Sequence, residues 1–123
     1  MTFGEYLKQL RESRALNQSD LAASINVSTV YICDIEKNRR NPPDIEKLRV
    51  WIRQLALSPK ETAMFYDLAG VARGTPAPDV MEYLCNTPQA IASIRLIMSQ
   101  GKEYTWNNLP KMEIYYVQII NVD

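Results

Sequence analysis

Apolar residues recur at helical spacing along most of this chain, and turn-forming residues cut them into short blocks. Phe3, Tyr6, Leu7 and Leu10 stand at i, i+3, i+4 and i+7 behind a possible N-cap, Thr2, which predicts a helix over Phe3 to Ser13. Leu21, Ala22 and Ile25 form a second set, and Ile32 and Ile35 a third. Asn26-Val27-Ser28 lies between them, so two short amphipathic helices are expected to meet across a tight turn. Ala22 is small where the helices must cross, Ile25, Val27, Ile32 and Ile35 form the wedge between them, and Tyr31 is expected to face inward. Asn26 suits the left-handed backbone such a turn requires. Asp44 opens a core helix to Leu57 on Ile45, Leu48, Trp51, Ile52 and Leu55, with Trp51 read as packing. Ser58-Pro59 opens another, from Pro59 to Val71. The stretch from Gly70 to Pro78 ends that helix, and its breakers Gly74, Pro76 and Pro78 predict a hinge.

Beyond the hinge come a short element at Asp79 to Cys85 and a helix over Pro88 to Gln100. The stripe of that helix, Ile91, Ile94, Ile97 and Met98, either folds back onto the core or forms a subunit interface. From Tyr104 to Asp123 two readings stand: Met112, Tyr115, Tyr116, Ile119 and Ile120 fit a helix, while Ile114 to Ile120 has the composition of a strand that would need a partner. Trp106 and this tail are too apolar to be left in water.

The block from Gln18 to Lys37, QSDLAASINVSTVYICDIEK, has helix-turn-helix spacing and resembles the Cro/repressor (XRE-type) helix-turn-helix transcriptional regulator family. The resemblance extends over Phe3 to about Leu57. It departs at Asn26, where the family commonly has Gly, and holds at Gln18 and in the basic run before Pro42. It implies an all-α, five-helix lambda-repressor-like DNA-binding domain; the residues beyond it read, from their own pattern, as a mostly helical C-terminal extension whose tail is either helix or strand. The resemblance also implies that Arg11 pairs with Glu36, bracing the domain and presenting the guanidinium towards DNA; the competing reading is a solvated surface arginine.

Duplex contacts are expected from three places. Asn17 and Gln18 begin the first motif helix, where free N–H groups and side-chain donors suit a phosphate, although simple capping by Asn17 is the competing reading. The second motif helix, opened by Ser28, turns Thr29, Val30, Cys33, Asp34 and Lys37 outward as the stripe for the major groove. There Thr29 suits a base edge or phosphate, Val30 a thymine methyl and Asp34 a cytosine amine. Asp34 is also repelled by phosphates, so either it reads a C·G pair specifically, or this stripe reads sequence weakly and affinity rests on backbone contacts and pairing of subunits. Lys37, Arg39, Arg40 and Asn41 then supply cations and an amide for the phosphates.

Charge qualifies this picture. Fourteen Lys and Arg offset fourteen Asp and Glu, and a pI near 6.3 is not that of a general polyanion binder. The balance is uneven, however: Met1 to Leu57 carries +2 and Ser58 to Asp123 carries −2, with the basic excess in Lys37 to Asn41. There is no histidine, so the Ser-His and Cys-His nucleophiles and His-metal sites are missing, and no glycine-rich nucleotide cradle occurs. Cys33 and Cys85 lack CxxC spacing and read as free thiols. No secretory signal or membrane span is legible, so a cytoplasmic protein without cofactor, metal or enzymatic activity is expected.

The sequence thus predicts a helix-turn-helix DNA-binding domain over residues 1–71 and, over residues 72–123, an extension for dimerisation or partner binding. The expected function is that of a repressor binding a palindromic operator in double-stranded DNA as a homodimer. The alternative is an antitoxin or protein-interaction module whose extension grips a partner protein, or a helix-turn-helix fold that has lost DNA binding.

Overall fold

In the computed structural model, which describes residues 1–101, the described chain is entirely helical: α1 (Phe3–Ser13), α2 (Gln18–Ser24), α3 (Thr29–Glu36), α4 (Ile45–Gln54), α5 (Pro59–Arg73), α6 (Pro78–Cys85) and α7 (Pro88–Gln100). The two readings of Tyr104 to Asp123, and Trp106 with them, lie outside the described residues.

Both ends of each of the first five helices are finished by the same local chemistry. At the start, Thr2, Asn17, Ser28, Asp44 and Ser58 each accept the backbone N–H three residues on, and Asn17 and Ser58 form full capping boxes with Asp20 and Glu61. At the end, one residue turns left-handed: Ala15, Asn26, Asn38, Ala56 and Gly74, with φ of 56°, 58°, 61°, 51° and 70°. The following N–H then reaches back five residues, as from Leu16 to Arg11 (3.1 Å), Val27 to Ala22 (3.0 Å) and Leu57 to Ile52 (3.1 Å). These closures satisfy terminal carbonyls that would otherwise be left unbonded at the margins of the core. Asn26 adopts the conformation expected of it, and Asn38, whose side chain tolerates it equally, does the same. Ala15 and Ala56 do so at a steric cost of about 1 kcal/mol each, which nothing in their side chains announces.

The core lies among α1 to α5 and includes Leu7, Leu21, Ile32, Ile35, Leu48, Trp51, Leu55 and Phe65, all at most 1% exposed. Trp51 serves as packing and also donates its indole N–H to the carbonyl of Leu21 at 3.1 Å, fastening α4 onto α2. Phe3 meets Phe65 with ring centroids 4.9 Å apart, joining α1 to α5.

The expected hinge is replaced by a packed corner. Helix α5 continues through Gly70 to Arg73, and Gly74 is the left-handed exit. A Cβ at Gly70 would meet the carbonyls of Thr75 and Pro76 at 2.8 Å, so the absent side chain lets the chain fold back and bury Ala77. Helices α6 and α7 differ from the rest: neither has a side-chain N-cap or a fully buried residue. The Arg49–Glu82 ion pair ties α6 to α4, and Asp67 of α5, partly desolvated and facing Asp79, has its carboxyl pushed up to about 6.

Gly4 makes a closer backbone approach than the other described glycines. A Cβ there would lie 2.2 Å from the carbonyl oxygen of Ile35 and 2.8 Å from that of Glu36, so α1 rests directly on the backbone of α3. Substituting Ala for Gly in a helix normally gains about 0.5–1 kcal/mol, whereas forcing apart packed backbone costs about 1–3 kcal/mol. The clash should win: Gly4→Ala is expected to lower unfolding free energy by about 2 kcal/mol in urea titrations. A variant as stable as the parent would show that α1 and α3 are not this close.

Candidate nucleic-acid interface

Helix α3 is held from behind and open in front. Ile32 and Ile35 are at most 1% exposed against α1 and α2, and Ser28 caps the helix by accepting the N–H of Tyr31 at 3.3 Å. On the opposite side Thr29 and Lys37 are exposed, Cys33 and Asp34 are half-buried, and Val30 is 66% exposed. An apolar side chain so exposed, on a helix otherwise locked into a core, gains nothing for the fold.

The end of α3 departs from its sister helices in a way that marks this surface. After the left-handed residue, α1, α2 and α4 place Leu16, Val27 and Leu57, each packed against the core. After Asn38 stands Arg39, whose N–H makes the same return bond, to Asp34 at 2.7 Å, while its side chain is exposed. The position that α1, α2 and α4 use for burial, and that α5 fills with the exposed Thr75, here presents a cation. Lys37, Arg39, Arg40 and Asn41 are all exposed along this one loop.

Two contacts arrange those cations. Arg39 approaches Asp34 at 3.9 Å, side chains 65% and 30% exposed, a loose surface pair worth under about 1 kcal/mol. It offsets part of the negative charge on the stripe. Arg40 lies over the Tyr31 ring, 4.6 Å from its centroid, a contact of about 0.5–1 kcal/mol at an exposed site. Tyr31, expected inside, is therefore only half-buried: its ring serves as the seat for a loop arginine, a role its apolar neighbours Ile32 and Ile35 conceal in the sequence.

The Arg11–Glu36 pair forms, but its orientation corrects the expectation. Arg11 and Glu36 are 9% and 8% exposed, and the guanidinium is turned into the domain rather than presented to a ligand. Its Nε and Nη2 donate to the two oxygens of Glu36 at 2.7 and 3.0 Å, and Nη1 donates to the carbonyl of Leu16 at 3.0 Å. The hydrogen-bonded carboxylate holds the Arg11 pKa above its already high ordinary value. The side-chain amide of Gln18 also donates to Glu36, at 3.0 Å.

Asn17 is occupied at the N-terminus of α2. Its side-chain oxygen accepts from the Asp20 N–H at 2.9 Å and from the Ser19 hydroxyl at 2.5 Å, and its own N–H donates to the Asp20 carboxylate at 2.9 Å. Asn17 thus caps α2, and Asp20 adds negative charge beside the end expected to attract a phosphate. Gly4 is a position that sequence reading passed over, and Tyr31 one that it placed inside. The signal for Gly4 was present, since a glycine between Phe3 and Leu7 on the buried face of an amphipathic helix marks a backbone contact.

Comparison with known proteins agrees with this geometry. The helix-turn-helix family model matches residues 7–61, and that segment is a helix-turn-helix domain of the XRE type. Over 42 residues, 34% of this chain, the sequence is 45% identical to the immunity repressor protein of Bacillus phage phi105. The match spans 29% of that repressor's own length. No solved structure matches the chain significantly.

Removing one member of a buried charge pair strands the other, at about 3–5 kcal/mol, whereas replacing both by apolar groups is often near neutral. Glu36→Ala is therefore expected to destabilise the chain by at least about 3 kcal/mol in denaturant titrations, and Arg11→Met with Glu36→Met by clearly less. A loss below about 1 kcal/mol in the single variant would mean that water reaches the pair.

Proposed function

We propose that this helix-turn-helix protein is a sequence-specific DNA-binding transcriptional regulator, a repressor that occupies a roughly palindromic operator as a homodimer. Residues 1–71 would hold DNA and 72–123 would pair the subunits. The observation that carries the reading is the front of α3: an exposed Thr29-Val30 edge running into exposed Lys37, Arg39 and Arg40, on a helix whose back is immobilised. In this arrangement Val30 packs against a thymine methyl, Thr29 and Ser28 bond base edge or phosphate, and Cys33 lies along the groove floor. Asp34 accepts from a cytosine amine once Arg39 leaves it for a phosphate. Gln18, fixed by Glu36, retains a second amide hydrogen for the backbone, while Asn17 acts mainly by holding α2 in register. Lys37, Arg39, Arg40 and Asn41 grip the phosphates. Blocking polymerase is the simplest mode of repression, and the phage relative is named for an immunity repressor.

A three-cation contact gives each subunit a salt dependence, d log K/d log[salt], of about −2.7. Arg39→Ala with Arg40→Ala is expected to weaken binding to duplex from the promoter of its own gene at all salt concentrations and to reduce that slope by about 1.8 per subunit. Fluorescence anisotropy across a salt series measures both. An unchanged slope would remove these arginines from the interface.

The two terminal described helices supply the grounds for a partner. Val80, Met81, Tyr83, Leu96 and Met98 are 40–71% exposed, an apolar surface with no charged rim on α7 beyond Arg95. We assign this surface to a second copy of the chain, which sets two α3 helices about one helical turn of DNA apart, or about 34 Å. The other reading, a different protein held by the extension as in an antitoxin, rests on the same exposed side chains. Leu96→Glu with Met98→Glu is expected to convert a dimer into a monomer in sedimentation velocity runs. A parent chain that sediments as a monomer at tens of micromolar would shift the weight to the foreign partner.

A further inference from the structure

We propose that the cleft between the N-terminus of α1, the loop after α3 and the outer face of α5 binds a small organic acid with a short apolar body, and that filling it loosens the hold on DNA. The second half of this proposal rests on the DNA-binding reading above; the first does not.

The cleft is about 250 Å3, below the roughly 300–1,000 Å3 of drug-sized sites, so its ligand is small. Its walls divide by chemistry. Phe3, Leu68, Val71 and Ala72 give an apolar side, and Asn38, Arg40 and Asn41 line the other. Arg40 is the only charged side chain among the described lining residues, and no carboxylate is among them. Two other clefts differ in this respect: one sets Asp44 and Glu46 beside Lys47, Arg49 and Arg53, the other Asp44 and Glu82 beside Arg73. This cleft therefore favours a carboxylate, which a guanidinium can hold through two parallel hydrogen bonds.

The cation that would take the acid is also free to move. The Arg40 contact with the Tyr31 ring at 4.6 Å is exposed and weak, so an ion pair inside the cleft can displace it. One guanidinium cannot serve a carboxylate in the cleft and a phosphate outside it, so acid and duplex compete through Arg40. By linkage each lowers the affinity of the other by the same factor. The loop also has little room to give way, since Asn38 is left-handed at φ 61° and its side-chain oxygen lies 2.7 Å from where a Cβ on Gly4 would be.

The probe is phenylacetate, with phenylacetamide as its uncharged counterpart, titrated into the full chain and followed by 15N–1H correlation spectra. Saturable shifts at Gly4, Asn38, Asn41, Val71 and Ala72 are expected in the millimolar range with phenylacetate, and at least ten-fold weaker with the amide. Arg40→Gln should erase the difference between the two. Val71 is 75% exposed, so Val71→Glu leaves the fold intact and should abolish phenylacetate binding by charge repulsion. No saturable shift, or equal affinity for acid and amide, overturns the site. Duplex binding at constant ionic strength should fall several-fold in saturating phenylacetate. If the spectra saturate and duplex binding holds, the regulatory half is overturned. A chain that binds no duplex would refute the preceding reading, and the spectra would still decide the cleft.

Discussion

One carboxylate holds three helices in register. Glu36, at the last turn of α3, receives Arg11 from α1 and Gln18 from α2, in a position 8% exposed to water. A lone carboxylate buried there would be costly, and the two side chains that neutralise and saturate it come from the two elements that must stay fixed against α3. Ile32 and Ile35, buried in the core, seat the rear of α3 by shape, and apolar contact carries no directional preference of its own. A bidentate guanidinium has a narrow optimum in distance and plane. The front of α3 inherits that definition, since Thr29, Val30 and Lys37 project from the helix whose rear is tied down.

Two contacts from opposite ends of α1 meet the end of α3: Gly4, in the first turn, lies against the carbonyls of Ile35 and Glu36, and Arg11, in the last, reaches the Glu36 carboxylate. Glycine costs some helix stability in exchange for a short, rigid path between α1 and the end of α3. Cap, glycine contact and ion pair thus converge on a few residues, Ile35 to Asn38, from which the loop of cations departs. Rigidity at the root of that loop keeps Arg39 and Arg40 near α3 even though their own contacts, with Asp34 and Tyr31, are weak.

Much of this was legible in the chain because it depends on local periodicity. The spacing of Phe3, Tyr6, Leu7 and Leu10, the interval from Ala22 to Ile35, and the Ser58-Pro59 start each name an element and its inner face. Asn26 and Asn38 advertised their left-handed turns through side chains that tolerate them, whereas Ala15 and Ala56 make identical turns with no such sign. Three-dimensional coincidence was not legible. Gly70 looks like a breaker until Thr75 and Pro76 are seen lying on it, and Tyr31 looks like core until Arg40 covers its ring. The Arg11–Glu36 pair followed from resemblance, but its burial did not, because a 25-residue separation says nothing about depth.

Zero net charge sets a limit on how the candidate interface can work. With fourteen charges of each sign, no long-range field draws this protein to a polyanion, so the proposed contact relies on Lys37, Arg39 and Arg40 at close quarters. Three phosphate contacts per subunit make a weak monomer, and the groove stripe adds no bidentate arginine or glutamine to a base. Two such subunits joined rigidly behave differently, because the second binding event is intramolecular and multiplies affinity without a new kind of contact. On the proposed reading, the apolar surface of α6 and α7, anchored to the core at Ala77 and by the Arg49–Glu82 pair, would pair the subunits and so let a modest recognition helix suffice. The weakness of the front and the stickiness of the back are, on this reading, two parts of one device.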